Sequence, residues 1–301
     1  MKIRINGSWV DTSLYIRDGG VWKYIGNPSS ANEIVVYITQ TTANINVSSF
    51  FGPYWTQNIA KKLIINSGVT VGATSTNNYA LNVSSGLIGI LRVENYGSIQ
   101  GAGGLPNGGT GGNAILANSS VSINNQGTIY AGGGGGGIGG AGGLGFYECG
   151  YYQNQELGGN SFAVGSCLEA CQINFGGEWY CIDCVQEGFP NEAICFTCQR
   201  YIPQTCYSSG GAGGAGGLGQ GFNQNLTGGS GGGGGGPNAG TGGTGGTGGN
   251  WGQSGGNGFS GFNGNYTVGS GGGSGGSGGY YIVNNGNVNW INLGAVAGGV
   301  V

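Results

Sequence analysis

The chain has 301 residues, 77 of them glycine and only 6 proline, with 6% charged residues and a formal charge of −3. So little charge among so much glycine argues against an ordinary hydrophobic core and against a disordered chain kept soluble by charge. The acidic balance argues against nucleic acid or an anionic membrane as partner, and no apolar run approaches the roughly 20 residues of a membrane span, so membrane insertion is not expected.

In chain order, residues 3–9 read Ile-Arg-Ile-Asn-Gly-Ser-Trp and residues 16–22 read Ile-Arg-Asp-Gly-Gly-Val-Trp. Shifted by 13, isoleucine meets isoleucine, arginine meets arginine and Trp9 meets Trp22. Each unit reads as strand, tight turn, strand. Two small hairpins do not stand alone in water, so they are expected to dock. They resemble the short Gly-x-Trp repeats of bacterial-virus tail proteins, which makes Trp9 and Trp22 candidates for attachment and residues 1–33 a separate segment.

Residues 34–100 are richer in β-formers. Ile34 to Ile38 is followed by the aromatic cluster Phe50, Phe51, Tyr54 and Trp55, and then by a repeat. LIINSGVTV from Leu63, LRVENYGSI from Leu91 and VSINNQGTI from Val121 each join alternating aliphatics to an Asn-x-Gly corner and a second short strand. The corners at Asn66, Asn95 and Asn125 stand 29 and 30 residues apart, and YIVNNGNV from Tyr281 reads as a further relative. Repeats that cannot bury their apolar face alone usually stack. They are expected to form an apolar plate.

Residues 101–301 carry glycine in phase. Thr241, Thr244, Thr247 and Asn250 stand three apart with glycine pairs between them, and so do Asn107, Thr110 and Asn113; Ile138, Ala141 and Leu144; Ala212, Ala215 and Leu218; and Ser274, Ser277 and Tyr280. A period of three is neither the 3.6 of an α-helix nor the 2.0 of a strand. It belongs to the polyproline II helix, and without proline the fitting form is polyglycine II, whose bare faces let neighbouring rods bond amide to carbonyl. A lone tract would stay flexible, because ordering a glycine costs more than one hydrogen bond returns. Several tracts side by side, fixed at their ends, can hold order.

VSINNQGTIYAGGGGGG, from Val121 to Gly137, with Gly-Gly-Asn-Ala-Ile at 111–115, is similar to the glycine-rich receptor-recognition adhesins at the tips of T-even-type phage long tail fibres. That resemblance implies a polyglycine II sandwich, an N-terminal part that grips other tail or tail-fibre proteins, and distal loops that bind an outer-membrane receptor of the bacterial host. The fold class expected is therefore all-β and irregular: N-terminal hairpins and stacked short strands, then a polyglycine II sandwich interrupted by a Cys-rich loop insertion, with essentially no α-helix. Met1 to Trp9 lacks the apolar segment of a secretory signal. Together with a composition suited to an extracellular material, this points to a virion part released by lysis, on the tail tip or tail fibre.

The insertion, 146–208, holds all eight cysteines: Cys149, Cys167, Cys171, Cys181, Cys184, Cys195, Cys198 and Cys206. The two C-x-x-C pairs could hold zinc as thiolates, whereas a virion's life in air favours disulfides that staple a lobe too small for its own core. The insertion also concentrates acid and aromatic rings. A rigid aromatic projection suits recognition, so the candidate receptor-binding residues are Tyr147, Tyr151, Tyr152, Trp179, Tyr180, Phe189 and Tyr201, with Trp251, Phe259 and Phe262 from later breaks in the glycine. No histidine exists in the chain, which removes the commonest general base and any Ser-His chemistry. No catalytic residue is assigned. The alternative to an adhesin is a structural cap or adaptor of the virion tail.

Overall fold

The computed structural model describes residues 33–155, 197–222 and 224–301 throughout; within 1–32 and 156–196 it describes only the backbone course of the strands named below. At the N-terminus Lys2–Ile5 pairs antiparallel with Ser8–Asp11, and Tyr15–Asp18 with Val21–Tyr24. The registers set Arg4 opposite Trp9 and Arg17 opposite Trp22. Val21–Tyr24 then adds antiparallel to Glu33–Ile38, so the second hairpin docks on the main body.

The repeat strands stack parallel, and they close into a three-faced β-helix rather than a plate. Each rung contributes one strand to each of three sheets. The first rung is Glu33–Ile38, Thr42–Ala43 and Ile45–Asn46; the second is Ala60–Ile65, Thr70–Gly72 and Leu81–Val83; the third is Leu91–Asn95, Ser98–Gln100 and Ile115–Ala117. Val121–Asn125, Thr128–Tyr130 and Tyr280–Val283 make the fourth, and Val288–Asn292, Ala295–Ala297 and Gly299–Val300 the fifth. The strands therefore do not stop near residue 100. The glycine-rich chain is let into the corner between second and third faces, at 101–114 in the third rung and 131–279 in the fourth.

Period-two alternation turns Leu63, Ile65, Val93, Ile123, Ile99, Ile129, Leu81, Ile115 and Ile282 inward, all fully buried. The β-helix therefore does hold an ordinary hydrophobic core, against the expectation from overall composition, because its strands concentrate the aliphatic residues that the glycine tracts lack. The helix Val47–Phe51 and the 3-10 turn Gly52–Thr56 press Phe51 and Trp55 onto this core. Trp55 donates its indole N–H to the carbonyl of Ser85 at 3.0 Å. Lys61 is buried too, its ammonium donating to the carbonyls of Gln57, Ile59 and Ile88 at 2.8–2.9 Å.

Two details of the repeat differ from the sequence expectation. Ile65, not Asn66, pairs with Asn95, because the first interval is one residue shorter than the thirty-residue register that the strands keep. Asn95 and Asn125 do stack, amide to amide at 2.7 Å, and Asn125 continues to the carbonyl of Leu293 at 2.7 Å. The fifth copy of that strand is Val288–Asn292; Tyr280–Val283 instead joins Ile115–Ala117 on another face.

The glycine tracts form eight straight rods: 101–105, 109–113, 131–144, 209–221, 226–236, 239–250, 253–264 and 267–279, numbered here one to eight. Rod three is central. Gly133, Gly136, Gly139 and Gly142 donate to Gln220, Gly217, Gly214 and Gly211 of rod four at 2.8–2.9 Å. Their neighbours Gly134, Gly137, Gly140 and Gly143 donate to Gln253, Gly256, Phe259 and Phe262 of rod seven at 2.8–2.9 Å. The carbonyls of Gly134, Gly137, Gly140 and Gly143 accept from rod six, and those of Gly132, Gly135, Ile138 and Ala141 from rod eight. Rods one and two bond to the lower part, through pairs such as Gly104 to Gly133 and Gly135 to Gly109.

A partner that recurs every third residue requires a threefold rod, and six neighbours around one rod is the hexagonal lattice of polyglycine II. Glycine is required here by close approach: a Cβ on Gly136 would lie under 3.0 Å from the carbonyl oxygen of Gly246. Each bond contributes only about 0.5–1.5 kcal/mol net, but the central rod is bonded to six neighbours near the β-helix and to four farther out, where Ile138, Ala141 and Leu144 face water, and the β-helix fixes its lower end. Rod five lies outside the ring, on rods four and six.

Candidate functional site

The chain enters rod three from the β-helix at Ala131 and leaves it at Leu144, so the rod carries the next segment roughly 40 Å from the β-helix at about 3.1 Å per residue. Three connections meet at that distal end: the Cys-rich insertion, the Pro237-Asn238 turn between rods five and six, and Asn265-Tyr266 between rods seven and eight. The insertion leaves and returns through one antiparallel pair, Gly145–Glu148 with Thr205–Ser208.

The root of this pair is clamped to the lattice. Asn265 accepts the Phe146 N–H at 2.7 Å and donates to the Phe146 carbonyl at 3.0 Å. The Asn238 amide donates to the same carbonyl at 3.0 Å, and the Ser208 hydroxyl to the carbonyl of Pro237. The two turns are tied together by Asn265 N–H to Asn238 O at 3.0 Å. One step out, a disulfide joins Cys149 to Cys206 across the strands.

Around this collar stand aromatic rings that water reaches. Tyr266 meets Tyr207 with ring centroids 4.9 Å apart and Phe146 edge-on at 6.3 Å; all three are exposed. Farther along, Tyr152 and Tyr201 face each other in register, centroids 5.3 Å apart, and Tyr151 beside them is also exposed. Offset and edge-on pairs of this kind hold rings in fixed poses while leaving their faces free. Arg200 donates from Nε and Nη2 to Gln153 at 3.1–3.2 Å, which stiffens the same strand pair.

The structure thus brings Tyr147, Tyr151, Tyr152 and Tyr201 to one end, with Tyr147 half-buried. It adds Phe146, Tyr207 and Tyr266, which sequence reasoning missed. Phe146 and Tyr207 could have been found from the alternation in the strands that flank the outermost cysteines, and Tyr266 from the break in glycine phase at Asn263-Gly264-Asn265. The backbone of Tyr180 lies in Tyr180–Gln186, paired with Ala193–Ile202, while Trp179 and Phe189 lie outside the described residues. Trp251 sits at the opposite end, its ring 5.6 Å from Tyr130 at the joint between lattice and β-helix. Phe259 and Phe262 lie along the flank of rod seven.

Of the cysteines, Cys149, Cys198 and Cys206 are disulfide-bonded, so none of these three is a zinc thiolate. Cys181 is in register with Cys198 and Cys184 with Cys195; Cys167 and Cys171 lie outside the described residues. Among the described residues no group of His, Cys, Asp and Glu is placed to hold a metal ion.

The family model for phage tail fibre adhesin Gp38 matches residues 33–189, from the first β-helix strand into the insertion. Among solved structures, the gp37-gp38 adhesin tip complex of the bacteriophage S16 long tail fiber is similar over 89% of this chain and 82% of that chain, at 17% identity and a TM-score of 0.40. No curated protein matches the chain. Matched by the family model over more than half its length, the chain belongs to the phage tail fibre adhesin Gp38 family.

Proposed function

We propose that this adhesin contacts a bacterial surface receptor, an outer-membrane protein or a surface glycan, through the distal end of its polyglycine lattice. The contacting groups are Tyr147, Tyr151, Tyr152 and Tyr201 with Phe146, Tyr207 and Tyr266, and with Trp179, Tyr180 and Phe189 of the same insertion. The observation that carries this reading is the collar: main-chain clamps from Asn265 and Asn238, together with a disulfide, hold exposed rings at the end of a lattice rooted in a β-helix. Rigid aromatics give contact area at low entropic cost, and a rigid frame fixes where they point.

In the same reading the N-terminal hairpins, with Trp9 and Trp22, attach the adhesin to another tail or tail-fibre protein, and Trp251 braces the joint at the base. The protein works by binding and catalyses nothing; it is carried on the virion's tail fibre. Replacing 149–204 by a two-residue Asn-Gly turn tests this. Particles should assemble and retain the protein but fail to adsorb to host cells. Particles that lose the protein would show a cap or adaptor instead.

A further inference from the structure

A second surface runs from the collar down the outer side of rods six and seven. Phe259 and Phe262 stand three apart on one face of rod seven, about 9 Å from each other along a threefold rod, and each is 68% exposed. Their backbone is pinned from both sides. Phe259 N–H donates to Thr244 O and Phe262 N–H to Thr241 O, at 2.8 Å, while their own carbonyls accept from Gly140 and Gly143 of the central rod.

This pinning sets a row of exposed threonines, Thr241, Thr244 and Thr247, along one side of the rings. Asn257, Ser260 and Asn263 line the other side, also exposed. The Oδ1 atoms of Asn257 and Asn263 accept the N–H groups of Gly275 and Gly269 at 3.0 Å. That fixes the two amides and leaves their Nδ2 donors, like the three threonine hydroxyls, without a protein partner among the described residues. The rods themselves do not require phenylalanine here: threonine occupies the equivalent outward positions of rod six.

We propose that this strip binds a neutral, extended polysaccharide of the host surface, a subsite that rests on the adhesin reading and lies beside the tip contact. Polarised C–H groups on the flat face of a sugar ring are drawn to the electron-rich face of a phenyl ring, and the flanking hydroxyls and amides can exchange hydrogen bonds with sugar hydroxyls. Two rings at a regular interval suit a repeating chain better than a single compact ligand. The partner's neutrality follows from the strip's own: from Tyr201 to Val301 there is no Asp, Glu, Lys or Arg, so nothing is present to pair with a charged polymer.

The test uses the full-length protein with Phe259→Ala, Phe262→Ala and the double variant, each first shown to melt like the parent. The probes are amylose, mannan and the neutral polysaccharide released from host lipopolysaccharide, with polygalacturonate as the charged control, read by affinity electrophoresis and by saturation transfer from aromatic protons to sugar protons. At least one neutral polymer should retard the parent and receive saturation, polygalacturonate should not, and the double variant should bind about tenfold more weakly. Retardation by no neutral polymer, or equal retardation of parent and double variant, would overturn the proposal. So would weakened binding of the double variant to glycan-free vesicles carrying host outer-membrane proteins, which would make the strip a protein contact. The protein carrying the Asn-Gly replacement of 149–204 should keep its polysaccharide binding, so this subsite and the tip reading fail independently.

Discussion

Gly246→Val places a branched side chain where rod six faces rod seven. Gly246 donates to Gly137 and accepts from Gly217, both at 2.8 Å, and its missing Cβ would lie under 3.0 Å from both the oxygen and the carbon of the Gly256 carbonyl. Those are backbone atoms, so no rotamer change relieves the clash; the rods must part. The bonds at stake are Gly256 to Thr247, Phe259 to Thr244 and Phe262 to Thr241, all 2.8 Å. Three bonds at about 0.5–1.5 kcal/mol each, with some strain retained, give a loss of roughly 2–5 kcal/mol. At about 2–4 °C per kcal/mol, the melting temperature should fall by roughly 4–20 °C. Gly231 is the control: it lies on outer rod five, and a Cβ there meets nothing within 4 Å. Gly231→Ala should be neutral, or stabilising by about 0.4–1 kcal/mol, because it narrows the unfolded ensemble. Scanning calorimetry of the two variants decides. Equal melting temperatures would refute the packed lattice.

Other consequences are read more briefly. Asn265→Ala removes two bonds to the Phe146 main chain; hydrogen exchange at Phe146 and Tyr207 should speed up at least tenfold while rod-three amides stay protected, and unchanged exchange would deny the clamp. Reducing the Cys149–Cys206 disulfide should loosen only the insertion, so calorimetry should show the main transition unmoved; intact mass after alkylation under native conditions should show no free thiol at Cys149, Cys198 or Cys206. Lys61→Met removes the donor shared by three main-chain carbonyls, those of exposed Gln57 and Ile88 and of half-buried Ile59, and should cost about 1–3 kcal/mol. Burial also holds the Lys61 ammonium below its usual range, so the unfolded chain binds that proton more tightly. The resulting penalty is present at low pH and is relieved as pH rises through the lowered value towards 10.5. The parent should therefore gain stability relative to Lys61→Met across that alkaline window, and parallel pH profiles would contradict the burial.

The glycine lattice was legible because its rule is written residue by residue: a bare face at each approach, and Thr241, Thr244, Thr247 or Ile138, Ala141, Leu144 wherever a face looks out. The corner asparagines were legible as repeats, since Asn95 and Asn125 keep the thirty-residue register. The closed β-helix was not. Its fourth and fifth rungs meet across 167 residues, Ser122 against Asn289, and no local pattern announces a partner beyond so much glycine. The same distance hid the collar. Asn265 and Phe146 are 119 residues apart, and only the lattice, by turning back on itself between rods seven and eight, sets Tyr266 against Phe146 and Tyr207. Trp251 shows the converse: an aromatic break in glycine phase marks an end of a rod, but which end depends on the direction of the chain through the lattice.

The most direct measurement is photo-crosslinking of intact particles to host cells from a photoreactive phenylalanine placed singly at Tyr152, Tyr207 or Trp251. Adducts to host surface molecules should form from Tyr152 and Tyr207 and not from Trp251, some 40 Å away at the base. Adducts from Trp251 alone would put the receptor at the wrong end of the lattice and contradict the account.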